Sequence, residues 1–428
     1  MNVRNRKAIC IVTPGYISST PRVVREADAL AAAGYRVRVV FSQGQLEQIR
    51  AFDQATLQNK RWQSAIVQWS NARPTEWWTY QRTRIRHFVA RQLPPVFWNM
   101  SGVLERAEGR VFPEMAALAA AEPADLYIGH YPDGLAAASL AARRHRAASG
   151  YDIEDLYADT EPPDAGNPVP RARVVAIEKQ YVGACSYVSV VSEPLGQIFT
   201  ERYGRRPDIT LHNCHPWADR NAADGQTLDR RGSALSLYWY SQTIGLNRGI
   251  QDAIRAAGLL STPIQVHLRG AIDENTRSAL LALARESGVP DAVHFHAQEP
   301  PDRLLSRAME HDVGLALEQG HSLNNRMTAS NKLFLYMTAG LALAATDTEG
   351  QRSVLQTCPG AGVLYAAGDV QALAAHLRTW VADRPRLDAA RQAGLDAART
   401  RWSLELETQK LVHAIDRLFG LDAQRVAS

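Results

Sequence analysis

The sequence predicts an α/β protein made of two successive halves, each built from β/α units that form a parallel sheet. Three observations predict this. Short apolar runs bounded by turn residues alternate with helical stretches from residue 8 to about residue 418. A polar stretch, PWADRNAADGQTLDRRGS (216–233), interrupts the alternation as an interdomain linker does, and a second β/α series begins after it. A chain of 428 residues is long enough for two or three domains, each with its own core.

AICIVT (8–13) is the first strand, and PGY turns it. Thr20 is a capping residue type and Pro21 suits the first helical position. Val23, Val24, Ala27, Leu30 and Ala31 form the inner face, and Gly34 closes the helix. RVRVVF (36–41) is the next strand, which completes a βαβ unit. Sheets of such units bind ligands at the carboxyl ends of their strands. No GxGxxG dinucleotide fingerprint is present, and Gly15 instead lets the backbone approach a ligand.

Residues 61–98 hold five of the nine tryptophans, Trp62, Trp69, Trp77, Trp78 and Trp98, interleaved with Arg61, Arg73, Arg82, Arg84, Arg86 and Arg91. Amphipathic rings beside cations suit a membrane interface or a polyanionic or carbohydrate acceptor. The plainer reading is an insertion that packs its tryptophans into the core and leaves arginine on the wet face. A long helical segment is expected to follow, to about Ala121.

DLYIGH (125–130) is a buried strand that ends in His130, where ligands bind in such sheets, although a lone histidine is usually structural. GYDIED (150–155) repeats the pattern and ends in Asp152, Glu154 and Asp155. These acids either bind sugar hydroxyls, serve as a base, or cap the next turn. PPDAGNPVP (162–170) is a loop, and a helix over about 171–184 follows. SYVSVVSE (186–193) and DITLHN (208–213) close the first half.

In the second half ALSLYWY (234–240) leads through a turn with Gly245, Arg248 and Gly249 into the helix IQDAIRAAGLL. PIQVHLRG (263–270), AVHFHA (292–297) and DVGLALE (312–318) are further strands. NNRMTASNKLFLYMTAGLALAATD (324–347) then reads as loop, helix, glycine and buried strand. Ser330 and Asn331 are capping types, Leu333, Phe334, Met337 and Leu341 recur at helical spacing, and Gly340 stops the helix. A helix beginning at a sheet edge presents free N–H groups and a positive dipole end to an anion such as phosphate. Lys332 in its first turn is unfavourable unless an anion shares the site. Only five of the 48 basic residues are lysine, so composition alone favours arginine there. A buried crossover helix with a solvated lysine is the competing reading. GVLYAAGD (362–369) opens another helix, and long helices end the chain.

The net charge of +4 is too small to argue nucleic acid. Cys10, Cys185, Cys214 and Cys358 form no CxxC pair, so neither a zinc site nor a disulfide framework is expected, and a reduced cytoplasmic compartment fits. The start MNVRNRKAICIVTPGY lacks the apolar core of a signal peptide, and no run reaches the roughly 18 apolar residues of a membrane span.

Together TPRVVREADALAAAGYRVRVV, DLYIGHYPDGLAAASLAA, VVSEPLGQIFTERYG with TLHN, YSQTIGLNRGIQDAIRA and NKLFLYMTAGLALAATD resemble the GT-B class of nucleotide-sugar-dependent glycosyltransferases. Within that class they are similar to the large retaining family four of bacterial cell-envelope and polysaccharide enzymes. The resemblance implies two Rossmann-like domains facing a cleft, with the C-terminal helices packing back on the N-terminal domain. Its boundaries would be an acceptor-side domain over 1–215, the linker 216–233, a nucleotide-sugar-binding domain over 234–403 and a C-terminal helix over 404–428.

The resemblance also implies the site. The donor diphosphate would bind on Arg248, Gly249 and the helix start at Ser330, Asn331 and Lys332, with Arg248 matching the family's cation in a "KG" turn. His130 matches a histidine that approaches the sugar, and with Asp155 it forms the expected catalytic set. Gly15 would lie by the transferred group, and Tyr16, Glu154, Trp77 and Trp78 on the acceptor side. A retaining enzyme of this type need not show a nucleophilic carboxylate, because the departing donor oxygen guides the acceptor. The sequence departs from the family where an arginine six positions before the turn cation is Gln242, and where two glutamates eight apart are Met327 and Leu335. Glu318, Asn324 or Asn325 would substitute for the glutamates.

The implied function is transfer of a sugar from a nucleoside-diphosphate donor to a glycan, lipid-linked or small-molecule acceptor, with retention. No tightly bound cofactor or metal is expected, since fixed cations can neutralise the diphosphate. No nucleic-acid partner is expected. Peripheral contact at the inner face of the cell membrane is expected from residues 61–98. The alternatives are a catalytically degenerate GT-B protein that binds a glycan or partner, and a sugar-nucleotide epimerase on the same fold.

Overall fold

Valine- and isoleucine-rich runs become strands here because both faces of a parallel sheet are covered by helices. The structure, a computed structural model, describes residues 7–162, 168–224 and 234–421. Residues 225–233 of the expected linker and 163–167 of the expected loop lie outside the described residues. The chain divides into two compact units. The first takes the described parts of Met1–Val191, Leu195–Leu211 and Thr408–Ser428, and the second takes those of Ser192–Pro194 and His212–Glu407.

In the first unit the strands are β1 (Ala8–Val12), β2 (Arg36–Gln43), β3 (Gln63–Gln68), β4 (Leu126–His130), β5 (Ala148–Ile153), β6 (Tyr187–Val190) and β7 (Ile209–Thr210). They pair in parallel in the order β3-β2-β1-β4-β5-β6-β7. The chain works outward from β1 in one direction and from β4 in the other, so the switch point lies between β1 and β4. Leu411, Ala414 and Ile415 of the helix Leu404–Leu418 join the core formed by Ile9, Ile11, Val23, Leu30 and Val39. The Tyr35 hydroxyl donates to Asp416 at 2.6 Å, tying that helix to this sheet.

In the second unit the strands are β8 (Leu235–Thr243), β9 (Ile264–Ala271), β10 (Val293–His296), β11 (Val313–Ala316), β12 (Ala342–Thr346) and β13 (Gly362–Tyr365). Their order is β10-β9-β8-β11-β12-β13, all parallel, and the switch point lies between β8 and β11. Both sheets carry helices on their faces, which makes each unit a doubly wound α/β layer structure.

Two features differ from the sequence expectation. The segment 61–98 opens with β3, an edge strand whose glutamine ends and partly exposed faces hide the usual apolar run. The long helix expected to about Ala121 is three helices, Pro74–Gln92, Val103–Glu108 and Phe112–Ala119. Pro94 and Pro95 break it first, and Gly102, at φ +73°, reverses the chain before the second.

Register also gathers histidines. Tyr238, His267 and His294 stand side by side across β8, β9 and β10. The His267 ring lies 4.7 Å from His294 and 4.6 Å from His311 between centroids, and its Nδ1 is 2.9 Å from His296 Nε2. Burial holds His296 below the ordinary histidine value, and Arg269 and His294 add to this. The folded unit therefore binds fewer protons at His296 than the unfolded chain does. That contribution is fully present above 6.5 and lost as pH falls through the lowered folded value. Urea denaturation at about pH 7.5 and about pH 5.5 checks it. His296→Gln is expected to lose less stability on acidification than the parent, and an unchanged pH dependence would contradict this.

Candidate functional site

The turn after β8 brings the first cation to the switch point of the second sheet. Gly249 has φ +73° and starts the helix Ile250–Gly258. A Cβ there would lie 2.8 Å from the Leu317 carbonyl and closer still to the Gln319 side chain, so only glycine lets this turn lie against the end of β11. Arg248, beside it, is exposed and has no carboxylate partner among the described residues. Gln242 is also exposed, and its carbonyl accepts from Gln298 at 3.1 Å.

Glu318, just past β11, collects the polar residues expected around the donor. Its Oε1 accepts from Ser330 Oγ at 2.9 Å and Lys332 Nζ at 3.2 Å, and its Oε2 accepts from Asn325 Nδ2 at 2.9 Å. Burial pushes the carboxyl up, but Lys332 and the hydrogen bonds from Asn325, Ser330 and Lys332 overcome it and hold the group at about 2. The anion that shares the helix start with Lys332 is thus Glu318. Ser330 is the N-cap residue of the helix Asn331–Ala339, yet its hydroxyl goes to Glu318 and makes no cap bond. The first amides of this helix therefore have no side-chain cap, and Asn331 is exposed beside them. Lys332 Nζ also lies 5.6 Å from the Trp239 ring centroid.

The backbone beneath is tightly held. Thr346 Oγ1 donates to the Glu318 carbonyl at 2.6 Å, and buried Gln351 donates to Ala316 and Thr346. Gly320 N donates to Asn325 Oδ1 at 2.6 Å, which fixes the amide so that its Nδ2 faces Glu318. Met327 and Leu335, at the two family glutamate positions, are both buried, and Leu335 belongs to the core under the helix.

The first sheet's switch point carries a different set. The loop after β1 holds Gly15 and Tyr16. Ser18 donates to buried Asp53 at 2.6 Å, and Leu46 N donates to the Tyr16 hydroxyl at 2.9 Å. A Cβ on Gly15 would meet only Thr20 at 3.6 Å, so this backbone stands open to a ligand.

His130, at the end of β4, is 1% exposed. Its Nε2 is 2.6 Å from Glu26, and its Nδ1 is 3.4 Å from Asp152. Burial lowers its proton affinity, and Asp152 and Glu26 more than reverse this. Asp152 also takes a two-pronged bond from Arg22, at 2.6 and 2.8 Å, and Ser189 donates to it. His130 is therefore a member of a buried charge network, and both ring nitrogens face carboxylates.

Glu154 and Asp155 lie just beyond, half-buried. Burial raises the Glu154 carboxyl, Arg22 opposes this, and Asp155 and Asp152 reinforce it. Sequence reasoning missed Tyr131 here. It has φ +63° at the turn from β4 into the helix Tyr131–His145, and its ring packs 5.1 Å from Tyr157. Burial, with Glu154 and Asp155 adding to it, pushes the Tyr131 hydroxyl up to about 12. A strained residue between a strand-end histidine and Pro132 is the signal that marks this position. Trp77 and Trp78 lie near the start of the helix Pro74–Gln92, on its outer face. Among the described residues no group of three or more His, Cys, Asp or Glu side chains is arranged to hold a metal.

No family model matches the chain, and no curated protein matches it in sequence. Solved structures do resemble it along almost its whole length. Anabaena HepE in complex with UDP is 12% identical, covers 96% of this chain and 100% of its own, and superposes with a TM-score of 0.67. Sucrose-phosphate synthase from Thermosynechococcus elongatus is 14% identical over 97% of this chain and 100% of its own, with a TM-score of 0.67. A putative UDP-N-acetylglucosamine 2-epimerase from Listeria monocytogenes is 12% identical over 96% of each chain, with a TM-score of 0.58. The chain has the GT-B fold, and the resemblance to these structures is one of fold.

Proposed function

We propose that this protein is a glycosyltransferase that moves a sugar from a nucleoside-diphosphate donor to a glycan, lipid-linked or small-molecule acceptor. The observation that carries this reading is the gathering of Arg248, Lys332, Glu318 and an uncapped helix start at the switch point of the second sheet. A diphosphate leaving group gains charge as the glycosidic bond breaks. A free arginine and helix N–H groups beside it stabilise the transition state more than the ground state. In this reading Glu318 and Asn325 face the sugar and ribose hydroxyls in place of the missing glutamates, and the Glu318 carboxylate keeps Lys332 in position until the donor arrives. His130 acts as a positioning residue through Asp152 and Arg22. Tyr16, Tyr131, Glu154 and Asp155 receive the sugar and acceptor. The donor domain is taken as 234–403 and the acceptor-side domain as 1–215, with the helix Leu404–Leu418 packing on the core of the latter.

Retention and polysaccharide synthesis belong to the same proposal and rest on the sequence resemblance, while a cytoplasmic setting rests on the scattered cysteines and neutralisation of the diphosphate without a metal on the fixed cations. The UDP held by Anabaena HepE makes uridine nucleotides the first probes. An epimerase is the second reading, because an epimerase is among the similarly folded structures. Incubation with a panel of nucleotide sugars, with and without glycan and lipid-linked acceptors, separates the two. Nucleoside diphosphate release that rises when an acceptor is added is the expected result. Conversion of the sugar with no acceptor and no release would favour the epimerase.

A further inference from the structure

The helix Pro74–Gln92 is amphipathic in the sense opposite to that of an ordinary surface helix. Its inner face is held by polar contacts. Glu76 pairs with buried Arg50 at 2.6 and 2.8 Å, Arg86 donates to Glu114, and His87 Nδ1 is 2.7 Å from the Arg106 carbonyl. Arg110 donates to Thr83 and the Tyr80 carbonyl, and its guanidinium lies 4.4 Å from the Tyr80 ring centroid.

The outer face is apolar. Trp78 is 76% exposed, Ile85 62%, Phe88 63% and Val89 52%. At 3.6 residues per turn Trp78, Ile85 and Val89 fall in one line, with Trp77 and Phe88 beside it. Arg82, which pairs with Glu114 at 2.9 Å, rims one edge of this stripe, and exposed Arg84 and Arg91 rim the other. Neither Arg84 nor Arg91 has a carboxylate partner among the described residues. The chain that follows adds exposed Val96, Phe97 and Met100. So large an exposed apolar stripe marks an interaction surface.

We propose that this face docks on an anionic lipid bilayer, with the helix lying in the interface and the arginines on the headgroup phosphates. Tryptophan and branched side chains suit the boundary between acyl chains and headgroups, and cations on both edges complement an anionic surface. A second copy of this chain fits worse, because two-fold pairing sets Arg84 and Arg91 against the same surface of the partner copy. The helix starts beside the Gly15–Tyr16 loop. Arg50, which holds Glu76, also donates to the Gly44 carbonyl at 2.9 Å, and a Cβ on Gly44 would lie 3.1 Å from the Tyr16 hydroxyl. Docking of this face therefore favours a lipid-linked acceptor, a corollary that rests on the proposed transferase reading; the docking itself does not.

Co-sedimentation of the full chain with vesicles, in the absence of nucleotide sugar, tests the inference. Vesicles of phosphatidylglycerol in phosphatidylcholine are expected to bind the protein, and the bound fraction should fall as salt rises. Trp78→Ser with Ile85→Ser should lower binding at least tenfold, and Arg84→Glu with Arg91→Glu should remove its dependence on phosphatidylglycerol. Because these residues are exposed, unchanged circular dichroism melts are expected to show the variants folded. The inference is overturned by no binding at low salt, by equal binding to pure phosphatidylcholine, or by unchanged binding of the Trp78/Ile85 variant. Lipid-free dimerisation that the same variant abolishes would overturn it in favour of self-association.

Discussion

Asp152→Ala is expected to destabilise the first unit by about 3–5 kcal/mol, the cost of leaving a buried charge without its partner. Arg22 is buried, and its guanidinium spends two donors on this carboxylate and a third on the Leu211 carbonyl at 2.8 Å. Burial opposes the charge on Arg22, and Asp152 supplies the attraction that sustains it. Burial likewise pushes the Asp152 carboxyl up, but Arg22 outweighs it and holds the group at about 2. The folded value lies below the ordinary 3.8, so the contribution is present above 3.8 and lost as pH falls through about 2. Urea denaturation of the parent and the variant measures the loss. Arg22→Met with Asp152→Ala should recover part of it, since the double variant buries no lone charge. A cost below about 1 kcal/mol for Asp152→Ala would show that the pair is solvated and His130 unsupported.

Arg248→Ala is expected to weaken nucleoside diphosphate binding by about 1.5–3 kcal/mol, roughly 10- to 150-fold, the worth of a hydrogen bond to a charged group. The same substitution should change stability by less than about 0.5 kcal/mol, because the side chain is exposed and pairs with no carboxylate among the described residues. Lys332→Ala gives a mixed signal. It would remove the proposed phosphate contact, and it strips Glu318 of the cation that keeps it ionised in a largely buried place. The Lys332 variant should therefore lose both affinity and stability, and the difference between the two variants separates ligand binding from scaffold.

Much of the fold was legible because a parallel strand buried on both faces is a plain apolar run. AICIVT, DLYIGH and LALAAT all became strands within a residue or two of their expected ends. β3 was not legible, since an edge strand with exposed glutamines has no such signature. The candidate site was legible in position and not in pairing. His130 and Lys332 stand at the strand and helix ends that the pattern indicates. The partners of His130 come from a helix 104 residues earlier and from the neighbouring strand β5, and that of Lys332 lies 14 residues back beyond β11. Sheet order and register decide those meetings, and no local periodicity encodes them. The tryptophans of 61–98 divide between the two readings. Trp62 is buried and donates to Asp28 at 2.8 Å, while Trp78 faces solvent, because the helix that carries it uses its polar side for anchorage.

Calorimetric titration of nucleoside diphosphates and nucleotide sugars into the parent protein, Arg248→Ala and Lys332→Ala tests the proposed donor site. Selective binding of one base by the parent and at least tenfold weaker binding by both variants are expected. No binding across the panel, or binding that both variants retain in full, would contradict a donor site at the start of the helix Asn331–Ala339.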